Sequence, residues 1–154
     1  MIYFAYGADL NPAQLGASAP GYRSLGVARL QGYRLTFPRY SREWGGATAS
    51  IAAGTSDVVF GALYDLLPDD IPVLHHHKGY DPDGPPVLIE HVFREVTVRR
   101  LATSEAVSAW TYIALPDNTT ELPSRTYVRE LLDGARYHGL PRAYMVVLEG
   151  MRTT

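Results

Sequence analysis

The residues best suited to chemistry in this chain fall in two short segments. The first is Tyr3-Phe4-Ala5-Tyr6-Gly7-Ala8-Asp9-Leu10. An apolar strand that runs into a glycine turn and then a helix start aims several backbone N–H groups into one concavity, a nest able to hold a carboxylate or an oxyanion. The whole segment, Tyr3, Phe4, Ala5, Tyr6, Gly7, Ala8 and Asp9, is therefore read as one side of a small-molecule pocket. The same pattern also fits an N-terminal strand with core aromatics and a routine turn. The second segment is Leu74-His75-His76-His77-Lys78-Gly79. Ile71, Leu74, His75 and Lys78 follow the i, i+3, i+4, i+7 rule, which sets Lys78 on the apolar side of its helix.

Three roles for Lys78 are open at this level. Burial on the Ile71/Leu74 face can lower a lysine pKa until the neutral amine acts as a base. Alternatively, the ammonium binds an anionic ligand. Or it is a solvated helix-end cation favoured by the C-terminal dipole. The three adjacent histidines do not make a metal site, because consecutive helical residues point about 100° apart. His75, on the shared face, is the one candidate acid/base near neutral pH; His91 and His138 belong to no pattern. No Gly-x-Ser-x-Gly, phosphate loop or His-Glu-x-x-His is present, which disfavours serine hydrolase, P-loop and zincin chemistry. No cofactor and no metal are expected.

Composition narrows the field further. The 154 residues are 46% hydrophobic and 19% charged with a net charge of −2, ordinary for a globular chain, and the basic residues are scattered. Neither nucleic acid nor an anionic membrane finds a patch to bind. The absence of cysteine excludes disulfides, thiolate metal sites and a thiol nucleophile, and fits a reducing compartment. The start lacks a basic leader, and no apolar run approaches the roughly 20 residues of a membrane helix. The expectation is a soluble, cytoplasmic protein.

The elements that must position these residues follow from periodicity and punctuation. Ile2 to Tyr6 reads as a strand, and Asn11-Pro12 as the cap and first position of a short helix through Leu15. Val27 to Phe37, stopped by Pro38, then Ala47 to Ala53 and Val58 to Leu66 read as three strands. Leu67-Pro68-Asp69-Asp70 opens a helix that runs to about Lys78, with Gly79 beyond it. Val87 to Leu101 and Val107 to Leu115 are further strands. Ser124 caps a long helix with Tyr127, Val128, Leu131, Leu132 and Ala135 on one face, and Pro141 to Gly150 is a last short helix. With about six strands, the fold class is α+β: a mixed sheet curled into a small barrel with flanking helices, as one domain over residues 1–154.

Read in order, these residues resemble a known family. Tyr3-Phe4-Ala5-Tyr6-Gly7, followed by two short residues and Leu10, is similar to the opening signature of the γ-glutamylcyclotransferase-like (AIG2-like) superfamily. Val27-Ala28-Arg29-Leu30-Gln31, Trp44-Gly45-Gly46-Ala47-Thr48, Phe60-Gly61-Ala62-Leu63-Tyr64, Pro123-Ser124 with Tyr127, and His138-Gly139-Leu140-Pro141 resemble it in the same order. The resemblance implies a small β-barrel and a reaction in which the substrate's α-amine attacks its own γ-glutamyl amide, releasing 5-oxoproline and an amine. It also implies backbone donors at Gly7, Ala8 and Asp9, a ligand contact at Tyr127, and a carboxylate at the end of a short helix that relays the proton.

The chain departs from the pattern where chemistry is done. The family's Leu-Asp-x-x-Glu-Gly corresponds here to Leu74-His75-His76-His77-Lys78-Gly79, so Lys78 occupies the place of the acid/base. An ammonium accepts no proton, and two like charges 4 Å apart cost on the order of 4 kcal/mol at an effective dielectric of 20. The family's Ser-Asn is Ala8-Asp9, and Phe93 is the nearest match to an aromatic expected on the following strand. The resemblance then implies a cyclotransferase-like enzyme on a small-molecule substrate, with Lys78 and His75 in the catalytic positions. The alternatives are a non-catalytic protein that binds an anionic metabolite, and a pathway-specific enzyme with altered chemistry on the same fold.

Overall fold

A computed structural model describes all residues from Met1 to Thr154. Five strands close into a barrel: β1 (Ile2–Ala5), β2 (Arg23–Ser41), β3 (Gly46–Asp65), β4 (His91–Arg100) and β5 (Ala106–Ala114). Their order around it is β1-β3-β2-β4-β5, and a parallel bridge between Tyr3 and Trp110 returns β5 to β1. The other pairings are antiparallel. Closure removes free strand edges from the sheet. The helices α1 (Pro12–Ser18), α2 (Ile71–His77), α3 (Arg125–His138) and α4 (Arg142–Glu149) complete the fold. None of them is long and apolar enough to cross a membrane.

The barrel matches the expected α+β class, with two of the strands read from the sequence joined into one. Ala47–Ala53 and Val58–Leu66, the latter up to Asp65, belong to a single long ribbon, β3, that stays hydrogen-bonded to β2. Its register jumps from Val58, opposite Gln31, to Ala53, opposite Tyr33. Gly32, with φ of 82°, stands at this irregularity and supplies the left-handed backbone it needs. Pro38 does not stop β2 as expected. A second register shift, between Thr36 and Arg39, brackets the proline, so its missing N–H costs no ladder bond and the strand runs on to Ser41.

The region between β3 and β4 is also less regular than its apolar pattern suggests. Pro68–Asp70 forms a 3-10 turn ahead of α2, and Lys78 is the cap rather than part of the helix. Gly79 sits beyond it with φ of 63°, as a residue closing the helix should. Pro85 and Pro86 turn the chain into a short 3-10 segment, Pro86–Leu88, so β4 starts at His91 rather than at Val87.

One core cluster fills the barrel and the space beneath the helices, with Phe4, Leu10, Leu15, Leu63, Tyr64, Leu74, Leu131 and Leu148 fully buried. Ser124 caps α3 by accepting from the Tyr127 N–H at 3.2 Å, and Gly139 ends it at φ of 67°. The inner face of α3 lies directly on the chain that follows β1. A Cβ on Gly134 would stand 2.3 Å from Asn11 N and from the Leu10 carbonyl carbon, so only glycine allows this approach. The Leu10 carbonyl is also met by the Tyr64 hydroxyl at 3.1 Å and His138 Nε2 at 3.0 Å. These contacts fix the segment that carries the glycine turn.

Candidate functional site

A cavity of about 480 Å³ opens at one end of the barrel. β1 and its turn contribute Tyr3, Tyr6, Gly7, Ala8 and Asp9; the far end of β2 brings Arg39, and β3 brings Thr48 and Ala49. Lys78, His91, Thr111, Tyr112 and Tyr127 arrive from the end of α2, the start of β4, β5 and α3. The sequence therefore collects distant residues at a single point by closing the sheet.

The turn after β1 forms a 3-10 turn, Ala8–Leu10, whose backbone hydrogen bonds begin at Leu10 N and Asn11 N. The Gly7, Ala8 and Asp9 amides have no backbone acceptors, as expected at an element's N-terminal end. Tyr127 presses against this turn: a Cβ on Gly7 would lie 2.9 Å from its hydroxyl. That hydroxyl accepts from Ala49 N–H at 2.9 Å and also feels the Ala8 amide. Its own proton has no acceptor within the protein and is free for a ligand. Burial pushes the Tyr127 phenol up despite these two donors, so it stays protonated. Trp44 packs edge-on against the ring at 5.4 Å.

Asp9 is the single charged residue in the buried set, at 3% exposure. One of its oxygens, Oδ2, receives both the Tyr3 hydroxyl at 2.7 Å and Lys78 Nζ at 2.8 Å. Burial alone would raise the Asp9 pKa, but the Lys78 ammonium and the two hydrogen bonds outweigh it and hold the carboxyl below its usual range. The Lys78 side chain is 20% exposed and also stands over the Tyr112 ring, 5.9 Å from its centre. It is not a solvated helix-end cation. Its Nζ lies instead against a buried carboxylate, in the geometry of an ion pair.

Behind this pair, the Tyr112 hydroxyl shares a 2.6 Å hydrogen bond with His75 Nδ1. Burial lowers the His75 pKa, so the ring is neutral near pH 7. The Tyr6 hydroxyl donates to the Tyr112 carbonyl, and Thr111 Oγ1 donates to the Phe4 carbonyl at 2.7 Å. Through these bonds β5 is fastened to β1 directly beneath the cavity. No group of three or more histidines and carboxylates gathers to hold a metal ion.

With this geometry in view, comparison with known proteins gives a concordant result. The sequence model described as the AIG2-like family matches residues 58–148, more than half of the chain. The chain belongs to the AIG2-like family. It is 27% identical to the protein named gamma-glutamylcyclotransferase in Mus musculus and, equally, in Homo sapiens, over 97% of this chain and 78% of each relative. A solved structure titled gamma-glutamyl cyclotransferase superposes with a TM-score of 0.89 at 25% identity, covering 100% of this chain and 89% of that one. The five-stranded barrel with its four helices is the fold of that structure.

Not every residue singled out from the sequence of this AIG2-like chain reaches the cavity. Tyr3, Tyr6, Gly7, Ala8, Asp9, Lys78 and Tyr127 line it. Phe4 and Ala5 do not: both are buried in the core. Alternation along β1 explains Phe4, and Ala5 packs where its carbonyl comes close to Gly61. His75 lies outside the lining and meets it only through Tyr112. Tyr112, His91 and Arg39 were missed. Phe93 and Tyr112 are paired neighbours on β4 and β5, so the choice of Phe93 falls one strand away from the hydroxyl that faces the site. Arg39 follows Pro38, which the sequence pattern reads as a strand end, and His91 opens β4 although the pattern sets it inside a strand.

Proposed function

We propose that this protein is a cyclotransferase-type enzyme acting on a small γ-glutamyl-like amide. The substrate's α-amine attacks its γ-carbonyl, a five-membered ring closes, and 5-oxoproline and an amine depart. The observation that carries this reading is the meeting at one cavity of the Gly7–Asp9 turn, whose Gly7 and Asp9 amides have no backbone acceptor, and the Tyr127 hydroxyl, whose proton has no acceptor within the protein. Such donors hold a folded substrate and stabilise an oxyanion without reorganising, which is most of what an intramolecular acyl transfer requires. The family resemblance and the relatives named gamma-glutamylcyclotransferase support the same class. Lys78, standing where the family pattern has glutamate, is assigned a binding role. Its ammonium keeps donors for a substrate carboxylate beyond the one given to Asp9.

The test is to incubate the protein with γ-glutamyl amides and quantify 5-oxoproline by chromatography and mass spectrometry. Release of 5-oxoproline above the protein-free rate supports the reading; none from a panel of amides overturns it. A second reading is favoured by one observation, that the only buried carboxylate is already engaged by Lys78. In that reading the protein binds an anionic metabolite without turnover. Saturable thermal stabilisation by amino-acid-derived acids, lost in Lys78→Ala, with no product formed, would select it.

A further inference from the structure

Arg39, near the far end of β2, lines the cavity without belonging to the glycine turn or to the Asp9–Lys78 pair. It stands directly opposite Thr48 on β3, and side chains opposite each other on antiparallel strands share one face of the sheet. Thr48 lines the cavity as well. The guanidinium reaches across to the end of β5, where Nη1 donates to the Leu115 carbonyl at 3.0 Å. The Leu115 N–H donates in turn to the Glu90 carbonyl at 2.9 Å, and its neighbour Ala114 pairs with His91. Glu90 and His91 are themselves cavity residues, so this tether holds the charged end of Arg39, and not only its stem, at the wall.

The charge on Arg39 has no counter-ion within the protein. Of the lysines and arginines on the lining, Lys78 is paired with Asp9, Arg42 is exposed, and Arg39 is half-buried without a carboxylate partner. The other two carboxylates there do not supply one: Glu43 faces His77 at 3.9 Å, and Glu90 is exposed and forms no ion pair. A guanidinium held partly out of water is ordinarily met by an anion. With one N–H given to a carbonyl, its remaining donors still suffice for a two-pronged grip on a carboxylate. The tether at Leu115 also fixes the group in advance, which reduces the entropy lost when a ligand binds.

The cavity therefore offers two cationic positions. On the cyclotransferase reading, Lys78 beside the Gly7–Asp9 turn meets the glutamyl part of the substrate, which leaves Arg39 for the other part. Resting on that reading, we infer that Arg39 is a specificity residue for the departing amine: it binds a carboxylate which that amine carries. The preferred substrate is then a γ-glutamyl amide of an amino acid. An amide of a neutral amine leaves the guanidinium half-buried and unmatched, and an amide of a second cation adds repulsion. Both are poorer substrates.

The experiment measures 5-oxoproline release from γ-glutamylalanine and γ-glutamylalaninamide, which differ only in carboxylate against carboxamide, by wild type and Arg39→Gln. We expect wild type to favour the acid by about tenfold or more in kcat/KM. In Arg39→Gln, KM for the acid should rise about 10- to 100-fold with kcat nearly unchanged, while the alaninamide changes by less than about threefold. A wild type indifferent to the exchange, or a variant that loses equally on both substrates, overturns the role of Arg39 and leaves the cyclotransferase reading intact. A wild type silent on both overturns that reading and the role of Arg39 together. Should Arg39→Gln fail to fold, Arg39→Lys decides the matter. A point charge in place of the planar fork should keep only part of the preference for the acid, and an undiminished preference overturns the assignment.

Discussion

Replacing Lys78 by methionine should cost stability in a way that depends on pH. The substitution keeps most of the side-chain volume but removes the ammonium 2.8 Å from a carboxylate that is 3% exposed. Breaking a buried pair from one side typically costs 3–5 kcal/mol, because the remaining charge is desolvated and unpaired. Lys78 is 20% exposed, so the low end applies, and we expect a loss of about 3 kcal/mol at pH 7. In wild type, the Asp9 pKa is held below its unfolded value. Its contribution is therefore complete above the unfolded carboxylate pKa of about 3.9, and disappears only as pH falls through the lower folded value. In Lys78→Met the Tyr3 hydrogen bond remains, but without the ammonium burial, the largest cause, should prevail and raise the Asp9 pKa above the unfolded one, so this protein regains stability on acidification. Urea unfolding at pH 7 and near pH 4.5 should show the gap between the two proteins narrowing. Asp9→Asn/Lys78→Met should recover most of the loss at pH 7. A deficit under about 0.5 kcal/mol, or one that does not change with pH, would show that the pair is not the buried contact described.

Two glycines give further expectations. Gly134→Ala places a Cβ 2.3 Å from the backbone at Leu10 and Asn11, and should destabilise the protein by about 2 kcal/mol or more, lowering Tm by roughly 4–8 °C in a thermal scan. Gly7→Ala meets only the tip of Tyr127, at 2.9 Å, so the tyrosine should yield and give up its bond from Ala49. Calorimetric titration with 5-oxoproline should then show affinity reduced about tenfold, the equivalent of one hydrogen bond, with Tm little altered.

The barrel and its helices were legible in the sequence because they rest on local signals. The nearly continuous apolar run in Val58 to Leu66, the Ser124 cap, and Gly79 and Gly139 after α2 and α3 each dictate their own neighbourhood. The breaks that proved illusory, at Pro38 and between Ala53 and Val58, were signals whose cost the paired strand absorbs through bulges. The site was legible only as far as it is contiguous. The Gly7 turn could be read from one stretch of chain, and the face of Lys78 from one helix. That Tyr112 rather than Phe93 supplies the hydroxyl depends on which strand closes the barrel, and that Asp9 meets Lys78 depends on the fold as a whole. Neither has a local signature.

That last contact changes how Asp9 and Lys78, which the sequence resemblance implies are departures from the family pattern, should be tested. Asp9 in the turn and Lys78 at the helix end seem independent in sequence, yet they share one hydrogen bond in space. Introducing a carboxylate by Lys78→Glu alone would bring two carboxylates together in a buried corner. At an effective dielectric of 20, like charges about 4 Å apart cost on the order of 4 kcal/mol, so one of the two would take up a proton at neutral pH. The introduced carboxylate would then share a proton with Asp9 or be protonated itself, and be a poor base. Asp9→Asn/Lys78→Glu avoids the clash, since an amide can donate to the new carboxylate. We therefore expect 5-oxoproline release to be higher in the double variant than in Lys78→Glu, by tenfold or more if the 4 kcal/mol is expressed even in part. Equal rates in the two variants would mean that Asp9 and position 78 act separately, and that the buried ion pair does not govern the chemistry of the cavity.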